Sequence, residues 1–151
     1  MNQESSSKVI QVIFRPTAQV GKIWETMTER RVSLGRRGEE IAASYLKKLK
    51  YKIIERNYTC TFGEIDIIAR DKETLSFIEV KTRSSLEYGH PHHVVNKRKQ
   101  HQISKVALSY INKNNLQNID ARFDVVAIQL SPEGEKVDLI KDAFELSSYY
   151  R

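Results

Sequence analysis

Residues Gly63–Lys81, GEIDIIARDKETLSFIEVK, contain two runs of alternating side chains separated by a short polar segment. Alternation with a period of two predicts β-strands, and the polar segment predicts a hairpin turn centred between Lys72 and Glu73. A turn of two or four residues gives the same register, whereas a turn of three or five residues would change it. One face of this hairpin is then apolar, with Ile65 opposite Val80 and Ile67 opposite Ile78.

The other face of the predicted hairpin carries charges. In this register Asp66 lies opposite Glu79, and Glu64 lies opposite Lys81. Two carboxylates directly opposite each other repel and destabilise a sheet, so either one is protonated or a cation lies between them. Carboxylate oxygens with open positions for water and a phosphate suit Mg²⁺ or Mn²⁺. Lys81 projects from the same face and could orient a water or offset charge on a phosphorane-like transition state. The alternative is an ordinary solvent-facing strand pair whose carboxylates are only hydrated.

The rest of the chain predicts two helices and the remaining strands of one sheet. Apolar residues recur with helical spacing over Leu34–Leu49, with Ser33 as N-cap, and over Asn96–Asn112. We therefore expect an α/β fold with a mixed five-stranded sheet and flanking helices, in the order α-β-β-β-α-β-β. The predicted strands are Tyr51–Cys60, Glu64–Arg70, Leu75–Arg83, Arg122–Leu130 and Lys136–Phe144, the last at an edge of the sheet.

Residues 1–30 differ from the rest of the chain. Asn2–Ser7 is polar and is expected to be mobile, while Lys8–Phe14 could form a short strand before Pro16. We expect residues 1–30 to be an N-terminal extension, which would not be translated in full if Met27 is the natural start. A folded domain at 31–145 and a C-terminal tail at 146–151 follow.

The chain carries a formal net charge of +6 and has a pI near 9.4. Residues 30–56 contain nine bases and three acids, so this segment accounts for the whole excess. Clustered bases can neutralise phosphates, as binding to nucleic acid requires, although a solvated basic surface would look the same. A single cysteine excludes an internal disulfide and favours the cytoplasm, and the apolar stretches are too short to span a bilayer. The candidate nucleic-acid-binding residues are Arg36, Arg37, Lys97, Arg98 and Lys99.

Several other side chains could have either a functional or a structural role. Glu39 falls at the edge of the apolar stripe of the first helix and can face the protein, whereas Glu40 points to the opposite side and is expected to be solvated. Lys99 begins the stripe of the second helix, where it could reach a phosphate or pack its stem along the helix. Arg122 and Asp124 share one side of a strand and favour a structural ion pair. The histidines at 90, 92 and 93 raise the question of zinc, but three in one turn rarely converge on a metal.

The spacing of Asp66 and Glu79-Val80-Lys81 resembles the metal-binding signature of the PD-(D/E)xK nuclease superfamily. A wider set of motifs resembles the YraN family, a group of small bacterial proteins of uncertain function, over about residues 31–145. The resemblance implies a fold like that of restriction endonucleases and archaeal Holliday-junction resolvases. Its motifs are Gly38-Glu39, Asn57, Gly63-Glu64-Ile65-Asp66, Phe77-Ile78-Glu79-Val80-Lys81-Thr82-Arg83, Tyr88-Gly89-His90-Pro91, Lys99 and Arg122-Phe123-Asp124-Val125-Val126.

The resemblance implies roles for individual residues. Asp66 and Glu79 match the metal-binding acids, Lys81 matches the catalytic lysine, and Glu39 matches a helical acid that completes the metal shell. Glu64 matches a glutamate of less defined role. Ile65 stands at the proline of the superfamily signature, and Lys50 stands where the family often has glycine, so its helix C-cap is weaker.

The function implied by this resemblance is a Mg²⁺- or Mn²⁺-dependent DNA endonuclease. Its substrate would be branched or otherwise structured DNA, and a Holliday junction would imply a homodimer because two opposed strands must be cut. One alternative is a non-catalytic nucleic-acid-binding module that retains the fold. Another is an adaptor whose basic face docks on an acidic protein.

Overall fold

The computed structural model describes residues 18–84 and 95–147. Within these ranges the chain forms two helices and five strands in the predicted order, and neither helix is long and apolar enough to cross a membrane. The elements are α1 (Ala18–Lys48), β1 (Lys52–Cys60), β2 (Gly63–Asp71), β3 (Thr74–Ser84), α2 (Lys97–Lys113), β4 (Ala121–Ser131) and β5 (Gly134–Phe144).

The strands form one mixed sheet in the order β1-β2-β3-β4-β5, which confirms the predicted α/β fold class and the edge position of β5. Only β3 and β4 are parallel, and α2 supplies the crossover that a parallel pair requires. The β2–β3 hairpin has the predicted register from Asp71↔Thr74 to Ile67↔Ile78. Its turn is therefore centred between Lys72 and Glu73.

Helix α1 begins at Ala18, so the predicted start after Ser33 was wrong. No proline lies between Ala18 and Lys48, and extending a helix is easier than nucleating a new one. Contacts group the chain into two compact units, Met1–Val32 and Ser33–Arg151. The described side chains of the first unit, at 26–32, are exposed. The predicted segments at 2–7 and 8–14 and the histidines at 90, 92 and 93 lie outside the described residues.

The second unit has an apolar cluster on each face of the sheet. The cluster at α2 contains Ile68 and Phe77, and the cluster at α1 contains Ile67 and Ile78, as strand alternation requires. Ile65 packs in the α2 cluster, so the predicted face shared by Ile65 and Ile67 was wrong. The α1 cluster is completed by Ala42, Ala43, Leu46, Tyr51, Ala69, Val126 and Ile128. The α2 cluster includes Tyr58, Leu75, Val95, Ile103, Val106, Ala107, Tyr110, Phe123 and Val125.

A buried acid ties the strands together near the start of β3 and β4. Asp124 is fully buried and accepts hydrogen bonds from Ser76 Oγ at 2.6 Å and from Arg122 Nε at 2.9 Å. The ion pair confirms the structural role predicted for Arg122 and Asp124. Arg122 also contacts Asp71 at 2.7 Å, and hydrogen bonds from Lys141 and Arg122 lower the pKa of Asp71 to about 2.

The chain enters the left-handed region two residues after α1 ends at Lys48. Lys50 has φ 68°, its amide donates to the Lys47 carbonyl, and the Tyr51 amide donates to the Leu46 carbonyl. These two bonds form a Schellman C-cap, which glycine normally closes because it has no Cβ. The chain thus forms the cap despite the lysine.

Gly38 brings α1 close to β3. A Cβ at position 38 would overlap the Thr82 side chain, whereas a Cβ at Gly35 would meet open space. The absence of a side chain at 38 therefore sets the approach of the helix that carries Glu39.

We predict that Gly38→Ala lowers the free energy of unfolding by about 1–3 kcal/mol, because the new methyl group forces α1 away from Thr82. Gly35→Ala is the matched control, and we expect it to stabilise the protein by up to ~1 kcal/mol because alanine favours helix. Urea unfolding of both variants measures the difference. Equal stability of the two variants would contradict this role of Gly38.

Candidate functional site

The β2–β3 hairpin opens where the acidic residues lie. The last pair of its ladder is Ile67↔Ile78, after which β2 continues beside β1 and β3 continues beside β4. In the gap, Asp66 Oδ2 accepts a hydrogen bond of 2.6 Å from the Val80 backbone N–H. A carboxylate thus takes the hydrogen bond that a strand partner would otherwise provide.

A local irregularity in β1 accompanies this opening. The β1–β2 register places Asn57 beside Asp66, and Asn57 has φ 53°, in the left-handed region that asparagine tolerates better than most residues. Ile65 and Ile67, on either side of Asp66, pack in the clusters on opposite faces of the sheet, so the alternation of β2 is broken at Asp66. The Asp66 side chain reaches the β3 backbone at this break.

Glu79 is 3% exposed and lies between two lysines. Lys81 Nζ is 2.7 Å from Glu79 Oε1, and Lys99 Nζ is 3.3 Å from Glu79 Oε2. The longer contact is an ion pair without hydrogen-bond geometry, so Oε2 is a buried oxygen with no hydrogen-bond partner among the described residues. Buried oxygens of this kind are rare and call for a ligand or another explanation.

Asp66 has a strongly shifted pKa. Burial raises the pKa of Asp66 to about 7, and the nearby charge of Glu79 adds to the rise. The Val80 N–H and the Lys99 ammonium oppose the shift, while the charge of Glu39 contributes a smaller increase. Two close carboxylates in a partly buried site therefore favour either a proton or a cation between them.

Glu39 lies on α1 and is half-buried, with its charge close enough to act on Asp66. Across 18–84 and 95–147, no three His, Cys, Asp or Glu side chains are grouped to hold a metal. Asp66 and Glu79 are therefore a pair rather than part of a preassembled triad. Mg²⁺ commonly uses one or two carboxylates and keeps several waters, so this pair and the unsatisfied Glu79 oxygen fit such an ion.

Glu64 is separate from this pair. It is exposed and lies opposite Thr59 on β1. In the described part of the chain, no ion pair joins it to Lys81, its predicted partner.

The predicted nucleic-acid-binding bases divide into two groups. Arg36, Arg37, Lys97 and Arg98 are exposed, the first two on α1 and the others at the start of α2. Lys99 is only 23% exposed, and its ammonium faces Glu79. The sequence anticipated that Lys99 could point toward the site, but not its contact with Glu79. The Asn96 cap, whose side chain accepts from the Lys99 N–H at 2.9 Å, fixes this first turn.

Glu40 is exposed to solvent, as predicted, but it also forms an ion pair that the sequence did not predict. It is 71% exposed but forms a two-pronged ion pair with Arg56, at 2.8 and 3.2 Å. The hydrogen bond from Arg56 lowers the pKa of Glu40. Arg56 is thereby committed to a protein carboxylate, and the pair joins α1 to β1.

Residues 38–128 match a family described as "Uncharacterised protein family UPF0102". The chain belongs to the UPF0102 family. This confirms the resemblance to the YraN family, and the matched segment contains Glu39, Asp66, Glu79, Lys81 and Lys99.

Bacterial relatives carry the same family name. A UPF0102 protein of Syntrophus aciditrophicus is 54% identical over 113 residues, which cover 75% of this chain and 89% of the relative. A UPF0102 protein of Geobacter sulfurreducens is 50% identical over 115 residues, covering 76% and 90% of the two chains. A relative in Caldicellulosiruptor saccharolyticus is 42% identical over 113 residues, covering 74% and 96%. These names give a family and no activity.

We predict that Asp66→Asn stabilises the metal-free protein at pH 8, and that this gain is smaller at pH 5 and disappears below about pH 4. The pKa of Asp66 rises from 3.8 to about 7 on folding, so ionisation between these values weakens the native state as the pH increases. Asparagine avoids that ionisation and can still accept the Val80 N–H. Urea unfolding in a chelator should show a gain of about 1–3 kcal/mol at pH 8.

Glu64→Gln is the control for this titration because its carboxylate is exposed. It should leave the pH dependence of stability unchanged. A gain from Asp66→Asn that is equal at pH 5 and pH 8 would contradict the titration of Asp66 as its cause.

Proposed function

We propose that this protein is a metal-dependent endonuclease that hydrolyses phosphodiester bonds in DNA, with branched or structured DNA as its substrate. The observation that carries the proposal is the buried, unsatisfied Glu79 Oε2 next to Asp66 and Lys81. An oxygen in this state fits a cation, and the flanking bases fit a phosphate backbone. The YraN resemblance supports the same reading.

Asp66 and Glu79 would hold Mg²⁺ or Mn²⁺, with Glu39 close enough to strengthen the negative potential. Such an ion, when bound, neutralises phosphate charge and makes a bound water more acidic. Hydrolysis forms a bond from the water oxygen to phosphorus and breaks the bond to the leaving oxygen, which takes up a proton.

Lys81 supplies a positive charge at the reacting phosphate in this proposal. Its side chain is 36% exposed, while its ammonium is held 2.7 Å from Glu79 Oε1. It can therefore face a phosphate in the solvent and stabilise the negative charge that develops on it. Lys99, whose ammonium is 3.3 Å from Glu79 Oε2, helps to orient the Glu79 carboxylate.

The exposed bases would bind the backbone on either side. Arg36, Arg37, Lys97 and Arg98 offer charge without a base-reading motif, so selectivity would come from the shape of the DNA. Cutting a four-way junction symmetrically would require a homodimer.

A non-catalytic nucleic-acid-binding module is the second candidate. It is favoured by the two lysines, which already balance the charge of Glu79 without a metal. This candidate keeps the basic surface and needs no metal.

We expect the wild-type protein to cleave at least one of four end-labelled DNAs: linear duplex, flap, single strand or four-way junction. Asp66→Ala and Lys81→Ala should each reduce cleavage by on the order of 100-fold or more while binding persists. Lys136→Ala is the matched control, since Lys136 is a 72% exposed lysine of β5 that pairs with Asp138. An inactive wild type whose binding is unchanged by Asp66→Ala would favour the non-catalytic module.

Metal binding can be measured without any substrate. We predict that Mg²⁺ and Mn²⁺ raise the thermal midpoint of the wild type, because a ligand of the native state stabilises it. The rise should increase from pH 6 to pH 8 as Asp66 ionises, and Glu79→Gln should remove it. Glu64→Gln should retain it, and a wild type insensitive to both ions would contradict the metal site.

A further inference from the structure

A large aromatic side chain lies at the tip of the β1–β2 hairpin. The last pair of this hairpin is Cys60↔Gly63, so its loop consists of Thr61 and Phe62. Phe62 is 51% exposed. Two-residue hairpin loops favour asparagine, aspartate and glycine, so neither turn formation nor core packing accounts for this phenylalanine.

The hairpin tip is held against α2. Gly63 has φ 134°, and a Cβ at this position would overlap the Gln102 side chain. Glycine thus permits both the backbone conformation and the close approach of the loop to α2. Phe62 is presented beside the helix by a tight connection rather than by a long loop.

Between Phe62 and α2 lies an open cleft of about 520 Å³. Its helical wall uses positions three and four residues apart, which share one helix face. The surface that lines the cleft is mostly apolar. We call it the Phe62 groove, and its lining residues are Phe62, Lys105, Leu108, Ser109 and Asn112.

Helix α2 is strongly basic. It contains five lysines and arginines and no acid over Lys97–Lys113. Within the described residues, Lys105 makes no ion pair, so its charge at the groove is not committed to a protein carboxylate. An apolar groove on such a helix complements a polyanion that also carries flat apolar groups.

We propose that the Phe62 groove binds an unpaired base of a single-stranded nucleic acid segment, with the base stacked on Phe62 and the adjacent phosphate at Lys105. This inference deepens the proposed nuclease function and rests on it for the role of the segment as substrate. Every base has a π-face, so stacking on an exposed aromatic ring binds single strands with little sequence preference. A duplex offers no such base, because its bases are already stacked on each other.

The groove and the candidate site both border α2. Helix α2 places Lys99 at Glu79, Gln102 at Gly63 and Lys105 at the groove. Lys99 and Lys105 are about 9 Å apart along the helix axis, and Phe62 precedes Asp66 by about 13 Å of strand. A base in the groove would therefore be roughly two to four nucleotides from the phosphate at the carboxylate pair. The substrate implied is nucleic acid with an unpaired strand beside the cleavage position, such as a flap or an open junction.

The test measures binding and cleavage separately. Fluorescence anisotropy in a chelator compares a labelled oligothymidylate with a duplex of equal length, for the wild type, Phe62→Ala, Phe62→Leu and Phe62→Trp. We expect Phe62→Ala to weaken single-strand binding about 5- to 100-fold and duplex binding less than about twofold. Phe62→Leu should behave like Phe62→Ala because leucine lacks a π-face, and Phe62→Trp should retain the affinity of the wild type for single strands.

Two further variants sharpen the result. Ile54→Ala is the matched control, since Ile54 is a 45% exposed apolar residue near the opposite end of β1, and it should leave binding unchanged. Lys105→Ala should reduce the salt dependence of single-strand binding by about one phosphate contact. An oligouridylate in parallel shows whether RNA is accepted as well as DNA.

Several results would overturn the proposal that the Phe62 groove binds an unpaired base. These are unchanged single-strand affinity in Phe62→Ala, an equal loss for single strand and duplex, or full affinity in Phe62→Leu. Dimerisation that Phe62→Ala abolishes while single-strand binding persists would assign the groove to a second copy of the chain. A wild type that binds single strands through Phe62 but cuts no DNA would refute the nuclease function and support the groove. Cleavage that Asp66→Ala abolishes, while Phe62→Ala changes neither cleavage nor binding, would support the nuclease function and refute the groove.

Discussion

A nearly buried carboxylate must be neutralised, and Glu79 imposes this requirement on the centre of the molecule. A buried charge without a partner costs several kcal/mol, so the two lysines that contact Glu79 are a structural necessity before they are anything else. Lys81 comes from the same strand and Lys99 comes from α2. The position of α2 over the sheet is therefore coupled to the charge of one residue of β3.

The two helices bring different chemistry to the sheet. On one face, Gly38 lets α1 approach Thr82 and bring Glu39 near the opening of the hairpin. On the other face, α2 places Lys99 at Glu79 and, about two turns later, Lys105 at the Phe62 groove. The crossover between the parallel strands β3 and β4 thus has two roles, since it covers the core and forms one wall of a groove.

Local patterns predicted the sheet well because strand alternation and turn chemistry are properties of neighbouring residues, and the register from Asp71↔Thr74 to Ile67↔Ile78 follows from them. The errors come from interactions between distant residues or from cooperativity. Serine is a residue type that favours helix N-caps, but Ser33 lies inside the longer helix α1. Ile65 changes face where the alternation of β2 is broken, and Lys99 turns inward to a carboxylate on another element. Asp66 and Glu79 were singled out from spacing and charge repulsion, whereas the unsatisfied oxygen could be seen only in three dimensions.

The hydrogen bond from the Val80 N–H to Asp66 gives the protein an internal reporter. Most amides of a sheet donate to carbonyl groups, whose charge does not change, but this amide donates over 2.6 Å to a carboxylate that titrates near neutrality. The Val80 cross-peak in an amide proton–nitrogen NMR spectrum should therefore move with the charge on Asp66. The resonance of this one amide would distinguish the protonated, ionised and metal-bound forms of the Asp66 carboxylate in the intact protein.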